Sequence, residues 1–173
     1  MPRTLQLVSV GNPPVSVLSA FDETLAAQVG ISVEPGKAQL PSPSYAFNKD
    51  RNQYHCSAIL RRLTSMINER DFVLGVTDVD LFVPDSPYVF GESDREARAA
   101  VISVFRLQQG MHLETLKRRL STEALHQAGH LLRLSNCEDA RCAMFLASSL
   151  AECDRRSPAL CGICRAELAK LRR

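Results

Sequence analysis

The chain has 173 residues, 45% of them hydrophobic and 23% charged, with a formal net charge of +2 and six cysteines. That length suffices for one compact domain with a real core, and the proportions are those of an ordinary globular protein. So small a net charge argues against nucleic acid or an acidic membrane surface as partner, and no apolar run is long enough to span a bilayer.

The opening stretch MPRTLQLVSVGNPP carries neither a long apolar segment nor a small-residue cleavage site, so no signal peptide is expected and the chain is placed in the cytoplasm. In that compartment its cysteines are thiols or metal ligands rather than disulfides. Residues 5–10, LQLVSV, alternate and predict a first strand ended by Gly11 and Pro13. The apolar spacing over 15–29 predicts a helix stopped at Gly30. ISVEPG predicts a second strand, and residues 35–48, with three prolines, a loop. YHCSAILRRLTSMINER sets Ile59, Leu60, Leu63, Met66 and Ile67 on one helical face. DFVLGVTDVDLFV predicts a buried strand running into a turn with Asp78 and Asp80. PYVF lies among Pro84, Pro87 and Gly91 and predicts an edge strand, where a backbone donor can be spared. A strand over 99–105 precedes a long helix over 113–132 with Leu116, Leu120, Ala124, Ala128 and Leu131 on its buried stripe. A cysteine-rich tail with little regular pattern leads to a last helix after Pro158. The fold class is therefore α/β, a sandwich over one mixed twisted sheet with backing helices. A single domain is expected, divided into 1–133 and a small C-terminal subdomain over 134–173.

Two clusters carry chemistry. His126 and His130 stand four apart on the long helix, so one face presents both imidazoles, the spacing by which H-E-x-x-H peptidases bind zinc. Two histidines at this spacing also arise by chance on helices, and alone they do not define a metal site. Cys137 and Cys142, with Cys161 and Cys164, offer four thiolates in two close pairs, a common structural zinc arrangement. The competing reading is reduced cysteines that only pack, or disulfides in an oxidising compartment. Cys56 and Cys153 are left over, Cys56 at a helix start as a packed residue.

Together these motifs resemble the archaemetzincins, a metzincin-clan family with the pattern HExxHxxGxxHCxxxxCxM followed by CxxC. RNQYHCSAIL, LGVTDVDLFVPDSPYVFGES and AVISVFRL resemble the family's upstream segments, so the likeness runs from about residue 51 to 168. It implies the metzincin-like fold, a long active-site helix, a four-cysteine zinc site at Cys137, Cys142, Cys161 and Cys164, and Met144 as the apolar floor beneath a catalytic zinc. In the family three histidines bind that zinc and a glutamate takes a proton from its water. His126 and His130 match the first two ligands. Gln127 stands in the glutamate's place, where a carboxamide cannot accept a proton near neutral pH. Asn136 stands in the place of the third histidine, and an amide oxygen is a poor zinc ligand. Arg133 stands where the family has the glycine of a sharp turn. Glu138 or Asp139 offers a replacement oxygen ligand and Glu123 a replacement base, but Glu123 sits a turn too early.

The resemblance thus implies a protein with a structural zinc, no catalytic residue and a vestigial histidine site. Its expected role is to bind peptide or protein segments in the inherited cleft, with residues 87–90 open to β-augmentation. A zinc metallopeptidase of altered or weak activity is the enzyme alternative. A nucleic-acid module built on the basic C-terminal helix is disfavoured by the weak charge and few aromatics.

Overall fold

The computed structural model describes residues 3–67, 71–110 and 112–173. In chain order the elements are β1 (Arg3–Val10), α1 (Asp22–Val29), β2 (Ile31–Leu40), β3 (Phe47–Asn48), β4 (Gln53–His55), α2 (Cys56–Thr64), β5 (Phe72–Thr77), β6 (Leu81–Phe82), β7 (Gly91–Asp94), β8 (Ala99–Ser103), α3 (Leu113–Leu131), α4 (Leu150–Arg155) and α5 (Gly162–Leu171). Every residue of β5 and of β8 is buried, as expected of parallel strands covered on both faces. They form the centre of a sheet ordered β2-β1-β5-β8-β7. The first four strands are parallel, and β7 closes one edge antiparallel to β8.

The period-two pattern divides the core in two. Leu74, Val76, Ala100 and Ile102 face a layer built from α1, α3 and the C-terminal segment, including Phe21, Leu125, Met144 and Leu168. Val73 and Val101 face α2, where Ile59, Leu60 and Leu63 provide the apolar face the sequence predicts. Each such aliphatic or aromatic side chain taken out of water contributes roughly 1.5–3 kcal/mol. Residues 134–173 contribute Leu134, Met144, Leu160 and Leu168 to this α3-side layer.

Several boundaries differ from the sequence expectations, each for a physical reason. The helix expected over 15–29 is a single 3-10 turn at Val15–Val17 followed by α1 from Asp22; Pro14 and two valines start the segment, and Asp22 and Glu23 complement the helix dipole where α1 begins. The loop expected from residue 35 is strand as far as Leu40. Pro35 is tolerated because β2 is an edge strand and because the β1–β2 register slips there, Gln6 facing Glu34 but Val8 facing Ala38. The helix expected to run to residue 70 stops at Thr64, and residues 68–70 lie outside the described residues. The strand expected over 71–83 breaks at Thr77, and Leu81–Phe82 joins a second, three-stranded sheet ordered β3-β4-β6. The architecture thus has two sheets rather than one. Residues 87–90 are not the edge strand. Val89 makes only an isolated bridge to Leu81, and the true edge is β7, one residue further on. The strand expected to reach residue 105 ends at Ser103. The tail holds an extra helix, α4, capped by Ser149 accepting from the Glu152 N–H at 3.2 Å.

Candidate metal centres

Helix α3 buries an unusual amount of polarity. Arg119, Ser121, Thr122, Glu123, His126 and Gln127 are all buried beside its leucines and alanines. The i, i+4 spacing places His126 and His130 edge to face, with ring centroids 4.6 Å apart. His126 Nδ1 lies 2.8 Å from Ala143 O and His130 Nδ1 lies 2.9 Å from Leu134 O. A carbonyl can only accept, so each ring carries its proton on Nδ1 and leaves the Nε2 lone pair free. The two Nε2 atoms converge to 3.0 Å. Two nitrogens about 2.0–2.1 Å from a tetrahedral zinc would stand roughly 3.3 Å apart, so the pair is oriented and spaced as metal ligands are. Burial lowers the His126 pKa to about 4, with Glu123 opposing, so this ring is neutral at neutral pH.

Met144, the residue the family likeness assigns as the floor, is fully buried, its sulfur packed against Gly129 in space that any Cβ at 129 would fill. Gln127 lies beneath the edge strand, where a side chain at Gly91 would meet Gln127 Nε2 at 3.0 Å. Gln127 Nε2 donates to Glu123 Oε2 at 3.0 Å, while its buried Oε1 accepts no hydrogen bond among the described residues. Glu123 Oε1 in turn pairs with Arg156 Nη2 at 3.2 Å, and the Arg156 side chain is wholly shielded from solvent. Arg156 Nη1 also donates to Phe145 O at 3.0 Å. The carboxylate proposed from sequence as a substitute base is therefore committed to an ion pair and an amide.

Arg156 was not anticipated from the sequence. It stands 33 residues from its partner, and the available signal was only an arginine close to the cysteines. Its neighbours tie α4 to α3 in the same manner: Arg119 forks onto Asp154 at 2.7 and 2.8 Å, and Arg118 Nη2 donates to Arg156 O at 2.7 Å.

Helix α3 ends in a Schellman turn, with Leu134 N–H donating to Gly129 O at 2.9 Å and Arg133 N–H to His130 O at 3.0 Å. Arg133 occupies the left-handed position at φ 78°. A side chain there costs about 1 kcal/mol relative to glycine. Beyond the turn, Asn136 joins His130, Glu92, Ser93, Arg95 and Glu96 around a cleft of about 410 Å³. Asn136 thus shares a cleft with His130. Glu138 and Asp139 are not among the residues lining this cleft.

The cysteines form a tighter unit. The sulfurs of Cys137, Cys142, Cys161 and Cys164 all lie within 4.8 Å of one another, with Cys137 and Cys161 at 3.8 Å and Cys142 and Cys164 at 3.7 Å. Four sulfurs about 2.3 Å from a tetrahedral zinc would be spaced roughly 3.8 Å apart, so the residues present fit that ion. Backbone N–H groups of Asp139, Met144, Cys161 and Cys164 each approach a cluster sulfur at 3.4 Å, the pattern that stabilises thiolates. Cys161 caps α5, and the Cys164 N–H draws its pKa down to about 7. Burial pushes Cys142 and Cys164 upward. Cys56 and Cys153 are buried elsewhere and outside the cluster.

Known proteins place the whole arrangement. The family model described as Peptidase family M54 matches residues 15–170. The archaemetzincin of Methanopyrus kandleri is 38% identical over 153 residues, covering 86% of this chain and 84% of that protein. Its crystal structure superposes with a TM-score of 0.90 at 36% identity, covering 98% of this chain and 95% of that one. A zinc-dependent peptidase from Methanocorpusculum labreanum superposes with a TM-score of 0.82 at 26% identity, covering 95% and 99%. Sequence, fold and the cysteine cluster agree, and the chain belongs to the archaemetzincins, peptidase family M54.

Proposed function

We propose that this archaemetzincin holds one zinc at Cys137, Cys142, Cys161 and Cys164 and uses the cleft beside His130 and Asn136 to bind an extended peptide without cutting it. Zinc in four thiolates is coordinatively closed and supplies folding free energy, not an open position for chemistry. The observation that carries the loss of hydrolysis is Gln127. It stands at the base position, its Nε2 is turned back to Glu123, and Glu123 is itself spent on buried Arg156. Neither Gln127 nor Glu123 is then available to accept a proton at the histidine pair, and Asn136 brings an amide where an imidazole is needed.

The edge of the sheet supports peptide capture. The Ser103 N–H donates to Phe90 O, and antiparallel alternation then turns the backbone groups of Gly91 and Ser93 outward. There the Ser93 N–H meets the neighbouring Glu92 Oε1 at 3.1 Å, a contact an added strand would replace. An extended segment can add there as a further strand, its side chains reaching the cleft. The reduced cysteines suit the cytoplasm, which belongs to the same proposal.

The converging Nε2 pair favours one second reading, a zinc peptidase of altered or weak activity using His126 and His130. Metal analysis of unsupplemented protein together with a hydrolysis assay on mixed peptides separates the two. The expected result is about one zinc per chain and no chelator-sensitive turnover. Saturable turnover that disappears in His126→Ala establishes the second reading instead. For binding, peptide display should enrich extended sequences whose capture is lost in Ser93→Pro. Capture indifferent to that change removes the edge strand from the proposal.

A further inference from the structure

A second cavity, of about 520 Å³, shares no lining residue with the histidine cleft. Three arginines line it, Arg3, Arg133 and Arg172, together with the leucines at 131, 132, 168 and 171, and no acidic residue does. We propose that this cavity binds a small amphipathic oxyanion, a carboxylate or phosphate monoester carrying an apolar body.

The plain explanation for arginines here is helix capping. The C-terminal ends of α3 and α5, and Gly30 after α1, surround the cavity, and helix C-termini attract cations. That accounts for Arg172, whose guanidinium donates to Val29 O at the end of α1. It does not account for Arg133. The Schellman bonds use its backbone, the left-handed φ of 78° favours glycine, and its side chain is exposed, with no hydrogen bond or ion pair among the described residues. A residue that strains its own turn and leaves a planar cationic fork beside a cavity has the form of an oxyanion receptor. The leucines supply the second half of the recognition. A bare anion would leave their surface wet, and a neutral apolar ligand would leave the guanidiniums without an acceptor. The volume falls within the range of small-molecule sites. Arg133 also adjoins Leu134, whose carbonyl orients His130, so the ligand would brace the turn that sets this imidazole.

The test is calorimetric titration of the full-length, metal-replete chain with octanoate, octyl phosphate, inorganic phosphate and octylamine. Octanoate or octyl phosphate should bind saturably with one site, at least tenfold more tightly than inorganic phosphate, and the tighter of the two identifies the oxyanion. Octylamine should not bind. Arg133→Gly should weaken the tighter ligand at least tenfold while raising the melting temperature, a combination that a purely structural arginine would not give. Leu171→Glu, at a half-exposed lining position, should weaken it similarly. Absence of saturable binding by both octyl anions, binding matched by octylamine, or affinity unchanged in both variants overturns the proposal.

Discussion

The histidine pair and the cysteine cluster are close in sequence yet make opposite demands on the chain. The cluster needs four identical donors and nothing else, and all four are present with sulfur spacings that suit a tetrahedral ion. The pair belongs to a kind of site that also needs a third ligand, an open position and a base, and here the chain offers Asn136 and Gln127. A closed site is complete once its ligands are complete. A catalytic site depends on several different residues at once, so it can lose its chemistry while its scaffold stays intact.

The comparison breaks most readily at the cluster. Cys161→Ser should release the tightly held zinc and unfold much of residues 134–173, because structural zinc sites supply on the order of 10 kcal/mol or more. Metal content together with hydrogen exchange over that segment measures this, and retained zinc with unchanged protection contradicts it. Next in size is Arg156→Ala. It leaves the Glu123 carboxylate buried and unpaired and should destabilise the fold by about 3–5 kcal/mol without changing metal content, as read from denaturant unfolding and metal analysis. A milder effect is expected from Asp154→Asn. The hydrogen bond from Arg119 holds the Asp154 carboxyl below its ordinary pKa, so its stabilising contribution is present above about pH 3.9 and is lost as pH falls through the lowered value. The wild type should therefore lose part of its advantage over the variant in acid, and parallel stability curves down to pH 2 count against this assignment. The smallest effect is expected at the other centre: His126→Ala should leave the count of tightly bound zinc unchanged. A second tight zinc that vanishes in that variant means the two centres are alike after all.

Much of the scaffold was legible because its signals are local. The apolar runs of β1, β5 and β8, the long stripe of α3 and the cysteine spacings each need only neighbouring residues to be recognised. What was missed depends on distant partners. Pro35 sits within a strand only because β1 slips its register opposite it. Leu81–Phe82 leaves the main sheet because Gln53–His55 is there to pair with it. The true edge strand was misplaced by a few residues because GESD lacks the apolar character of a strand, and it is held by pairing with β8 instead. Helix α4 carried a readable signal, Ser149 followed three residues later by Glu152, in a segment too short to show periodicity. At the centres, the histidines, the cysteines and the position of Asn136 followed from spacing and family likeness. The Glu123–Arg156 pair did not, because nothing near Arg156 in sequence announces that its charge is buried.

Cys142 and Ala143 are adjacent, and the two ends of that dipeptide face different centres. The Cys142 sulfur joins the thiolate cluster, while the Ala143 carbonyl receives the His126 ring proton. A backbone held by the cysteine cluster therefore also holds the imidazole in place. A lineage that stopped cutting peptides would still pass on a well-aimed histidine, much as a building keeps a doorway after the room behind it has been closed. The aim of His126 thus follows from an architecture it shares with the cysteine cluster, whether or not the pair acts on peptides.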